Sequence, residues 1–317
     1  MAEGSSILLF VMFLSIYLAS LMGNFLIILT VAFDPQLHSS MYFFLVNLSL
    51  SDMCYISTTV PKSMAATLMN NRWISFAECV AQVLLVVTFA GAELSFLTVM
   101  AYDRYVAICY PLQYCLIMNW NACFQMAAAS WRGTIINAMV HTVSTFMLEF
   151  CSSNVEQLFC DIPQLWLISC TDPRINQWLV FGSVFTADLF CFLYILVSYG
   201  FIFSAGLKMQ SAQGRYKVVS TCTPHLTVFS LFLSTAEFSY FRPKALSSSS
   251  VNMLAVILYM VMLPLLNPLI YSLRNKEVQV AMSKLSRKLL GFDSCTPCSF
   301  LKNNQFSLTR KQLMCLR

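Results

Sequence analysis

The chain has 317 residues, of which 58% are hydrophobic and only 10% are charged. Soluble domains carry about 25% charged residues, so 19 Lys and Arg with 14 Asp and Glu cannot cover a soluble protein of this length. This composition excludes a disordered chain, a collagen, a coiled coil and an ordinary cytosolic enzyme, and it indicates a protein that lies mostly in lipid.

Seven apolar segments follow one another, and each is long enough to cross a bilayer as a helix of about 20 residues. They cover residues 7–33, 41–59, 79–106, 123–150, 177–207, 218–241 and 251–273. Apolar residues do not alternate strictly within them, which favours helices over the strands of a membrane barrel. We therefore predict an all-α membrane protein, a seven-transmembrane helix bundle within residues 1–291.

Positive charge differs between the two ends of the predicted bundle. The C-terminal side carries nine Lys and Arg residues: Arg104, Lys208, Arg215, Lys217, Arg274, Lys276, Lys284, Arg287 and Lys288. The other side carries five: Lys62, Arg72, Arg174, Arg242 and Lys244. Because cytosolic loops are enriched in Lys and Arg, we predict the N-terminus outside and the C-terminus in the cytosol. The first segment is longer than the core of a signal peptide, so we favour an uncleaved span.

A polar, basic stretch follows the seventh segment. Within it, Val278, Met282, Leu285 and Leu289 recur at helical spacing, which predicts an amphipathic helix over 274–290 on the inner membrane surface. Residues 292–317 show no such pattern, and we predict a disordered cytosolic tail. Cys295 and Cys298 in this tail are a weak signal for a metal or redox site. Palmitoylation of these cysteines is about as well supported. Because both signals are weak, we favour an unmodified tail.

Thirteen cysteines are spread along the chain, and four of them fall on the predicted outer side. These four are Cys79, Cys151, Cys160 and Cys170. The extracellular compartment oxidises thiols, so disulfide bonds are expected there. The spacing alone leaves all three pairings of four cysteines open.

Few ionisable residues lie inside the predicted spans, where each is costly and therefore a candidate for function. They are Asp52, Glu93, Arg132, Asp188 and Glu237, with Asn24 and Asn267 as neutral partners. Asp52 and Glu93 fall at similar depth and would repel each other unless a cation or a proton joins them. We favour a sodium ion. A shared proton, or carboxyls satisfied by neighbours such as Ser95 and Asn267, are the alternatives.

The third segment ends with Asp103, Arg104 and Tyr105. Taken alone, this triplet indicates a snorkelling arginine beside its own counter-ion. The surrounding residues 100–109 (MAYDRYVAIC) and 264–277 (PLLNPLIYSLRNKE), however, resemble two signatures of vertebrate olfactory receptors, which are rhodopsin-like G-protein-coupled receptors. Further matches occur in the family's order: Gly23 and Asn24, 41–45 with Leu48, Ser49 and Asp52, Ser198 and Tyr199, and Lys217 with 220–222 and 225–226.

The resemblance implies a receptor of the plasma membrane that crosses it several times and is not an enzyme. It implies detection of small, mostly hydrophobic organic molecules and coupling to a stimulatory heterotrimeric G protein that raises cyclic AMP. It implies disulfide bonds Cys79–Cys160 and Cys151–Cys170, and a sodium site or polar core of Asn24, Asp52, Glu93 and Asn267. We expect no other cofactor and no nucleic-acid partner.

The resemblance and residue depth also assign two sets of residues. Ligand-binding positions are Val86, Val87, Ala90, Gly91, Ser183, Ala187, Glu237, Tyr240 and Ile257. The switch and G-protein coupling positions are Asp103, Arg104, Tyr105, Tyr199, Lys217, His225, Pro268 and Tyr271, with Lys208 and Arg215 at the rim. In the predicted switch Arg104 leaves Asp103 as the sixth span swings outward, and His225 is either a polar latch or a packed histidine.

Several residues depart from the family pattern. Ser40 stands where the family usually has proline, Leu233 where many members have tyrosine, and Arg132 lies near the middle of the fourth span. The glycosylated outer segment usual in the family is missing, since the only Asn-x-Ser/Thr triplet begins at Asn47 within a span. These features, with a tail unlike the family after Gly291, keep a poorly delivered, degraded receptor as an alternative.

Two other functions compete with odorant sensing. A rhodopsin-like receptor for a non-odorant ligand would share every motif and differ only in tissue and ligand. A transporter or channel would predict inverted repeats and interrupted helices, and the sequence contains no visible repeat.

Overall fold

The computed structural model describes residues 3–69, 74–151, 160, 162–170, 174–208, 210–240 and 249–289. Its long helices are α1 (Glu3–Phe33), α2 (Ser40–Met69), α3 (Phe76–Cys109), α5 (Trp120–Phe146), α7 (Arg174–Leu207), α8 (Ala212–Tyr240) and α9 (Ser249–Arg274). Shorter helices are α4 (Tyr114–Ile117), α6 (Ile162–Leu167) and α10 (Lys276–Leu289), and Pro35–Leu37 forms a 3-10 turn. The seven long helices coincide with the seven predicted spans, which confirms the fold class.

Among the described residues, five helices are long and apolar enough to cross a membrane: Ile7–Phe33, Ser40–Leu68, Phe76–Cys109, Leu189–Leu207 and Ala212–Thr235. Val261–Leu273 is a shorter apolar helix. Large apolar side chains such as Leu8, Met22 and Phe190 are exposed, as expected for helices whose surroundings are lipid.

Helix α3 lies at the centre of the bundle. It packs against α2, α5, α7 and α8, while α9 closes the ring by packing against α1, α2 and α8. The largest buried cluster surrounds the C-terminal half of α3, which contains Asp103, and includes Phe96, Leu97 and Met100. Following the orientation predicted above, we name this half of the bundle the inner half.

Local sequence signals explain where several helices begin. Ser75 accepts a hydrogen bond from the Glu78 amide while the Glu78 carboxylate accepts one from the Ser75 amide, a reciprocal cap that starts α3. Asn119 caps α5 by a single hydrogen bond, which its Oδ1 accepts from the Ala122 amide. Helix α10 buries Val278, Ala281 and Leu285, so its apolar face packs against the protein, beside α1 and α9.

A second buried cluster fills the outer half around the Cys79–Cys160 disulfide bond, which joins the start of α3 to the segment before α6. The Cys160 amide donates to Gln82 Oε1 (2.9 Å), and Gln82 Nε2 donates to the Thr58 carbonyl oxygen (3.0 Å). A second disulfide bond joins Cys151 to Cys170. Gln82 therefore anchors this outer segment to α2 and α3, a role that the sequence did not indicate.

Candidate functional site

Two carboxyl groups meet in the middle of the bundle. Asp52 on α2 and Glu93 on α3 are 0% and 2% exposed, and their carboxyls lie close enough to interact. Asn267 on α9 donates from Nδ2 to both Asp52 oxygens, at 3.2 and 3.0 Å. The predicted proximity of Asp52, Glu93 and Asn267 is therefore present in the structure.

Asn24 extends this polar column to α1. Its Nδ2 donates to the Pro264 carbonyl oxygen (2.9 Å), to which the Ser20 hydroxyl also donates (2.8 Å). Pro268, four residues after Pro264, has no amide hydrogen to donate within α9. The Pro264 carbonyl is consequently available to α1, and the two helices are joined at this point.

Several buried oxygens of the column have no hydrogen-bond partner among the described residues. They are Asn24 Oδ1, Glu93 Oε1, Asn267 Oδ1 and the Tyr271 hydroxyl. Carboxylate and amide oxygens are the ligands that hard cations prefer. The donor set therefore fits a small hard cation, or a proton shared between the two carboxyls.

The inner end of α3 carries the predicted switch, with Asp103 and Arg104 both buried. Asp103 Oδ1 accepts hydrogen bonds from the Ser40 hydroxyl (2.6 Å) and the Tyr114 hydroxyl (2.9 Å). Arg104 Nη1 donates to the Thr221 carbonyl oxygen on α8. We predicted that Arg104 pairs with Asp103, but no ion pair joins them in this part of the described chain. Two hydroxyls satisfy the carboxylate instead, and a backbone carbonyl satisfies the guanidinium.

Tyr114 lies in the connection between α3 and α5, outside the spans. Burial and then the nearby Asp103 charge raise the pKa of Tyr114. Its hydroxyl therefore remains protonated and able to donate to Asp103. Sequence reasoning did not find this residue, because nothing in the pattern indicates which loop hydroxyl reaches α3.

His225 connects α8 to two other helices. It is fully buried, with Nε2 at 2.8 Å from the Leu97 carbonyl oxygen on α3 and Nδ1 at 2.8 Å from the Tyr199 hydroxyl on α7. A carbonyl only accepts, so Nε2 carries the hydrogen and Tyr199 donates to Nδ1. Of the two predicted alternatives, the geometry favours the polar latch.

The other switch residues lie around this centre. The Tyr271 ring is buried, and Pro268 lies against Gly23 of α1. Tyr105 is half-buried and packs against the largest cluster, and its hydroxyl donates to Tyr110 (3.4 Å). Lys208 and Arg215 are exposed at the inner ends of α7 and α8. The Lys217 side chain lies outside the described residues.

The predicted ligand positions are only partly described. Val86, Val87 and Ala90 are half-buried on the outer half of α3. A Cβ on Gly91 would lie 3.3 Å from Thr134 Cγ2, so this position faces α5. The side chains of five further predicted positions lie outside the described residues: Ser183, Ala187, Glu237, Tyr240 and Ile257.

The structure shows the hydrogen bonds of two residues that depart from the family pattern, Arg132 and Asn47. Arg132 on α5 is exposed, and its Nε donates to the Ala128 carbonyl oxygen (3.1 Å) one turn closer to the inner end, which is the direction in which a snorkelling arginine extends. Asn47 Oδ1 accepts a hydrogen bond from Trp131 Nε1 (3.2 Å), so Asn47 of α2 faces α5. The Asp188 side chain lies outside the described residues.

A central helix with adjacent, buried Asp103 and Arg104, a polar column with two carboxyls, and a last span that contains Pro264 and Pro268 together define a seven-helix membrane receptor. The structure superposes on squid rhodopsin with a TM-score of 0.69 at 17% identity, covering 95% of this chain and 89% of that one. At this identity the likeness shows the fold.

Sequence comparison gives the family. The profile of the family described as "Olfactory receptor" matches residues 13–288. Human olfactory receptor 14C36 is 47% identical over 87% of this chain and 89% of its own length. Mouse olfactory receptor 4E2 is 44% identical over 89% of this chain and 91% of its own length. The chain belongs to the olfactory receptor family, and it is a multi-pass membrane receptor and not an enzyme.

Proposed function

We propose that this protein is an odorant receptor of the plasma membrane that binds small, mostly hydrophobic organic molecules within its helix bundle. On binding, it activates a stimulatory heterotrimeric G protein and raises cyclic AMP. The observation that carries the proposal is the double attachment of α8 to α3 on the inner half, through Arg104 to Thr221 and through His225 to Leu97.

The ligand is expected between the outer halves of α3, α7, α8 and α9. The half-buried Val86, Val87 and Ala90 supply apolar surface on α3, which suits a neutral, hydrophobic molecule. A ligand that binds one arrangement of these helices more tightly shifts the population toward it. A small molecule offers few atoms, so affinity should be modest.

Signalling requires the inner half of α8 to leave α3. Arg104 would then release the Thr221 carbonyl, and His225 would release Leu97 and Tyr199. The buried Arg104, Tyr199 and Tyr271 would line the crevice that opens, and a helix of the G protein would enter it. Leu112, which precedes α4 and is 84% exposed, would offer apolar surface to the G protein.

The polar column is proposed to bind sodium. Asp52 and Glu93 would supply carboxylate oxygens, and Asn24 and Asn267 would supply amide oxygens that have no partner in the part of the chain that the structure describes. A bound cation would remove the repulsion between the two carboxylates and stabilise the closed arrangement of α1, α2, α3 and α9.

The test is a cyclic AMP assay in cells that express the chain with a stimulatory G protein, with surface staining and a broad odorant panel. Arg104→Ala is the inactive control. We expect an odorant-dependent rise that this variant abolishes. A surface-expressed receptor that responds to no odorant, while a related receptor responds in the same cells, would contradict the proposal.

Surface delivery is tested in the same cells. If the wild-type chain stays inside the cell, Arg132→Leu should increase surface staining, because an arginine near the middle of a span costs about 2.5–3.5 kcal/mol on insertion scales. Ser130→Ala, a neutral change on the same helix, is the control. Equal staining of the two variants would show that Arg132 does not limit delivery.

A further inference from the structure

Three polar groups meet where α2, α3 and α4 come together at the inner end of the bundle. Ser40 is the first residue of α2 and is 6% exposed, and Asp103 is 2% exposed. The Ser40 hydroxyl lies 2.6 Å from Asp103 Oδ1 and 2.5 Å from the Tyr114 hydroxyl, which itself donates to Asp103 at 2.9 Å. The three groups therefore form one compact, buried cluster.

Asp103 is the acidic neighbour of Arg104, yet the two side chains point to different partners. Hydrogen bonds to a charged oxygen are stronger than neutral ones, so two hydroxyl donors stabilise the Asp103 carboxylate without the guanidinium. The fixed negative charge still attracts Arg104 across a short distance in a medium of low dielectric constant. This attraction holds the Arg104 guanidinium beside the inner end of α3, where it donates to the Thr221 carbonyl of α8.

We propose that Ser40 is a positioning residue of the signalling switch, whose hydroxyl fixes the Asp103 carboxylate and thereby keeps Arg104 bound to the Thr221 carbonyl of α8. The proposal rests on the function proposed above. Its consequence is low signalling in the absence of ligand, because Arg104 must be displaced before α8 can move.

The identity of residue 40 makes the proposal specific to this chain. A proline, usual here in the family, fits the first position of a helix but has neither an amide hydrogen nor a hydroxyl to donate. Ser40 therefore adds a donor to Asp103 that a proline cannot supply. Ser40→Pro should remove this donor without disturbing the start of α2.

The experiment measures ligand-independent cyclic AMP per surface receptor. Ser40→Ala and Ser40→Pro should raise it by about threefold or more, since loss of a hydrogen bond to a buried charge favours the alternative state. Ser40→Thr, which keeps the hydroxyl, should restore the wild-type level. Ser39→Ala removes the neighbouring hydroxyl and is the matched control.

A double-mutant cycle separates this role from a general effect on stability. Asp103→Asn alone should raise ligand-independent signalling, and Ser40→Ala should add nothing in that background, because Ser40 acts through the carboxylate. Two results would overturn the proposal: a wild-type level for Ser40→Ala while Asp103→Asn is raised, or an undiminished effect of Ser40→Ala in the Asp103→Asn background.

A second readout does not depend on a G protein. In purified receptor, Ser40→Ala and Ser40→Pro should accelerate amide hydrogen exchange in α4, while Ser40→Thr and Ser39→Ala leave it unchanged. Unchanged exchange in Ser40→Ala would overturn the proposed cluster. If α4 exchange responds as expected but every variant, including Asp103→Asn, gives no cyclic AMP above Arg104→Ala, the stimulatory coupling is wrong, and with it the role of Ser40 in signalling.

Discussion

Pro268 shows how one residue can set the position of a polar site. Because it cannot donate to Pro264, that carbonyl accepts from Ser20 and Asn24 on another helix. The Asn24 amide nitrogen is used in this contact, while its oxygen has no hydrogen-bond partner among the described residues. The hydrogen bond that Pro268 cannot make within α9 thus fixes the Asn24 amide, whose oxygen is one of those proposed for the cation.

The sodium proposal gives a prediction at Asp52. Purified wild-type receptor should melt at a higher temperature in sodium chloride than in choline chloride at equal ionic strength. Asp52→Asn should lose this difference, because the column then lacks one of its two negative charges. Differential scanning fluorimetry measures both temperatures.

Asp34→Asn is the matched control, since Asp34 is a carboxylate outside the column, between α1 and α2. This variant should retain the sodium effect. A wild-type receptor with equal melting temperatures in the two salts would contradict the cation and leave the shared proton as the account of Asp52 and Glu93.

The sequence could predict functional residues whose side chains are unusual for their surroundings. It could not predict residues whose role depends only on which groups the fold brings together. Asp52, Glu93, Asn267 and Arg104 stand out because polar groups in apolar segments are costly. The Thr221 carbonyl carries no sequence signal, because every residue has one. Ser40 was noted only as a departure from proline, since Asp103 lies 63 residues away.

At the scale of helices, the contact between α1 and α9 depends on the absence of a side chain. A Cβ on Gly23 would lie 3.0 Å from Pro268 Cγ and 3.2 Å from Pro268 Cβ. Both are atoms of a rigid ring, so Gly23→Ala should push the helices apart at a cost of about 1–3 kcal/mol. The melting temperature of the purified receptor should fall.

Gly133 on α5 provides the matched control, because a Cβ there would meet nothing within 4 Å. Gly133→Ala should be neutral or stabilise by up to about 1 kcal/mol through helix propensity. An equal loss of stability in both variants would show that the close approach at Pro268 is not the cause.

Helix α10 is attached to the turn after α1. Lys284 Nζ lies 3.1 Å from Asp34 Oδ2 and 3.3 Å from Gln36 Oε1. Partial burial alone would raise the pKa of Asp34, but hydrogen bonds from the Gln36 amide and Lys284 outweigh it and hold the pKa below its ordinary value. A carboxylate whose pKa is lower in the folded protein stabilises the fold fully at any pH above its pKa in the unfolded chain. This stabilisation is lost as the pH falls through the pKa of the folded protein.

The attachment should therefore be constant between about pH 5 and 8 and should weaken with salt. Lys284→Met should accelerate hydrogen exchange in α10 by no more than about fivefold, because exposed ion pairs contribute at most about 1 kcal/mol. Lys276→Met on the same helix is the control. The protection factors of the α10 amides, which are corrected for the intrinsic pH dependence of exchange, should therefore stay constant. Protection factors that vary strongly across this pH range would contradict the assignment.

The sequence predicted which helices exist better than where they end. The second span was predicted over 41–59, but α2 continues to Met69 and contains Pro61. Hydropathy falls where a helix leaves the lipid, whereas the backbone continues as long as its hydrogen bonds are made. The same reason places the start of α8 at Ala212, six residues before the predicted span.

At the scale of the whole molecule, the polar column and the inner switch lie on opposite sides of the cluster around Phe96, Leu97 and Met100. Helix α3 contributes to both, with Glu93 in one and Arg104 in the other. A movement of α3 or α8 that starts at the outer half can therefore reach the inner half through packed side chains. The family resemblance implied the residues of the column and of the switch, whereas the cluster between them and the partners of Arg104 required the structure.

The central claim is that the inner half of α8 must separate from the bundle before the receptor signals. An ideal Cβ on Gly206 of α7 lies 3.8 Å from Val218 Cβ of α8, the usual separation in a disulfide bond. The double variant Gly206→Cys with Val218→Cys should therefore link the two helices when membranes are treated with an oxidant. Each single cysteine variant, treated in the same way, is the control.

The most direct measurement is odorant-dependent G-protein activation in these membranes, before oxidation, after oxidation and after reduction. We predict that oxidation abolishes the response of the double variant but not of either single variant, and that reduction restores it. A linked receptor that responds to odorant as strongly as the reduced one would contradict the proposed opening of α8.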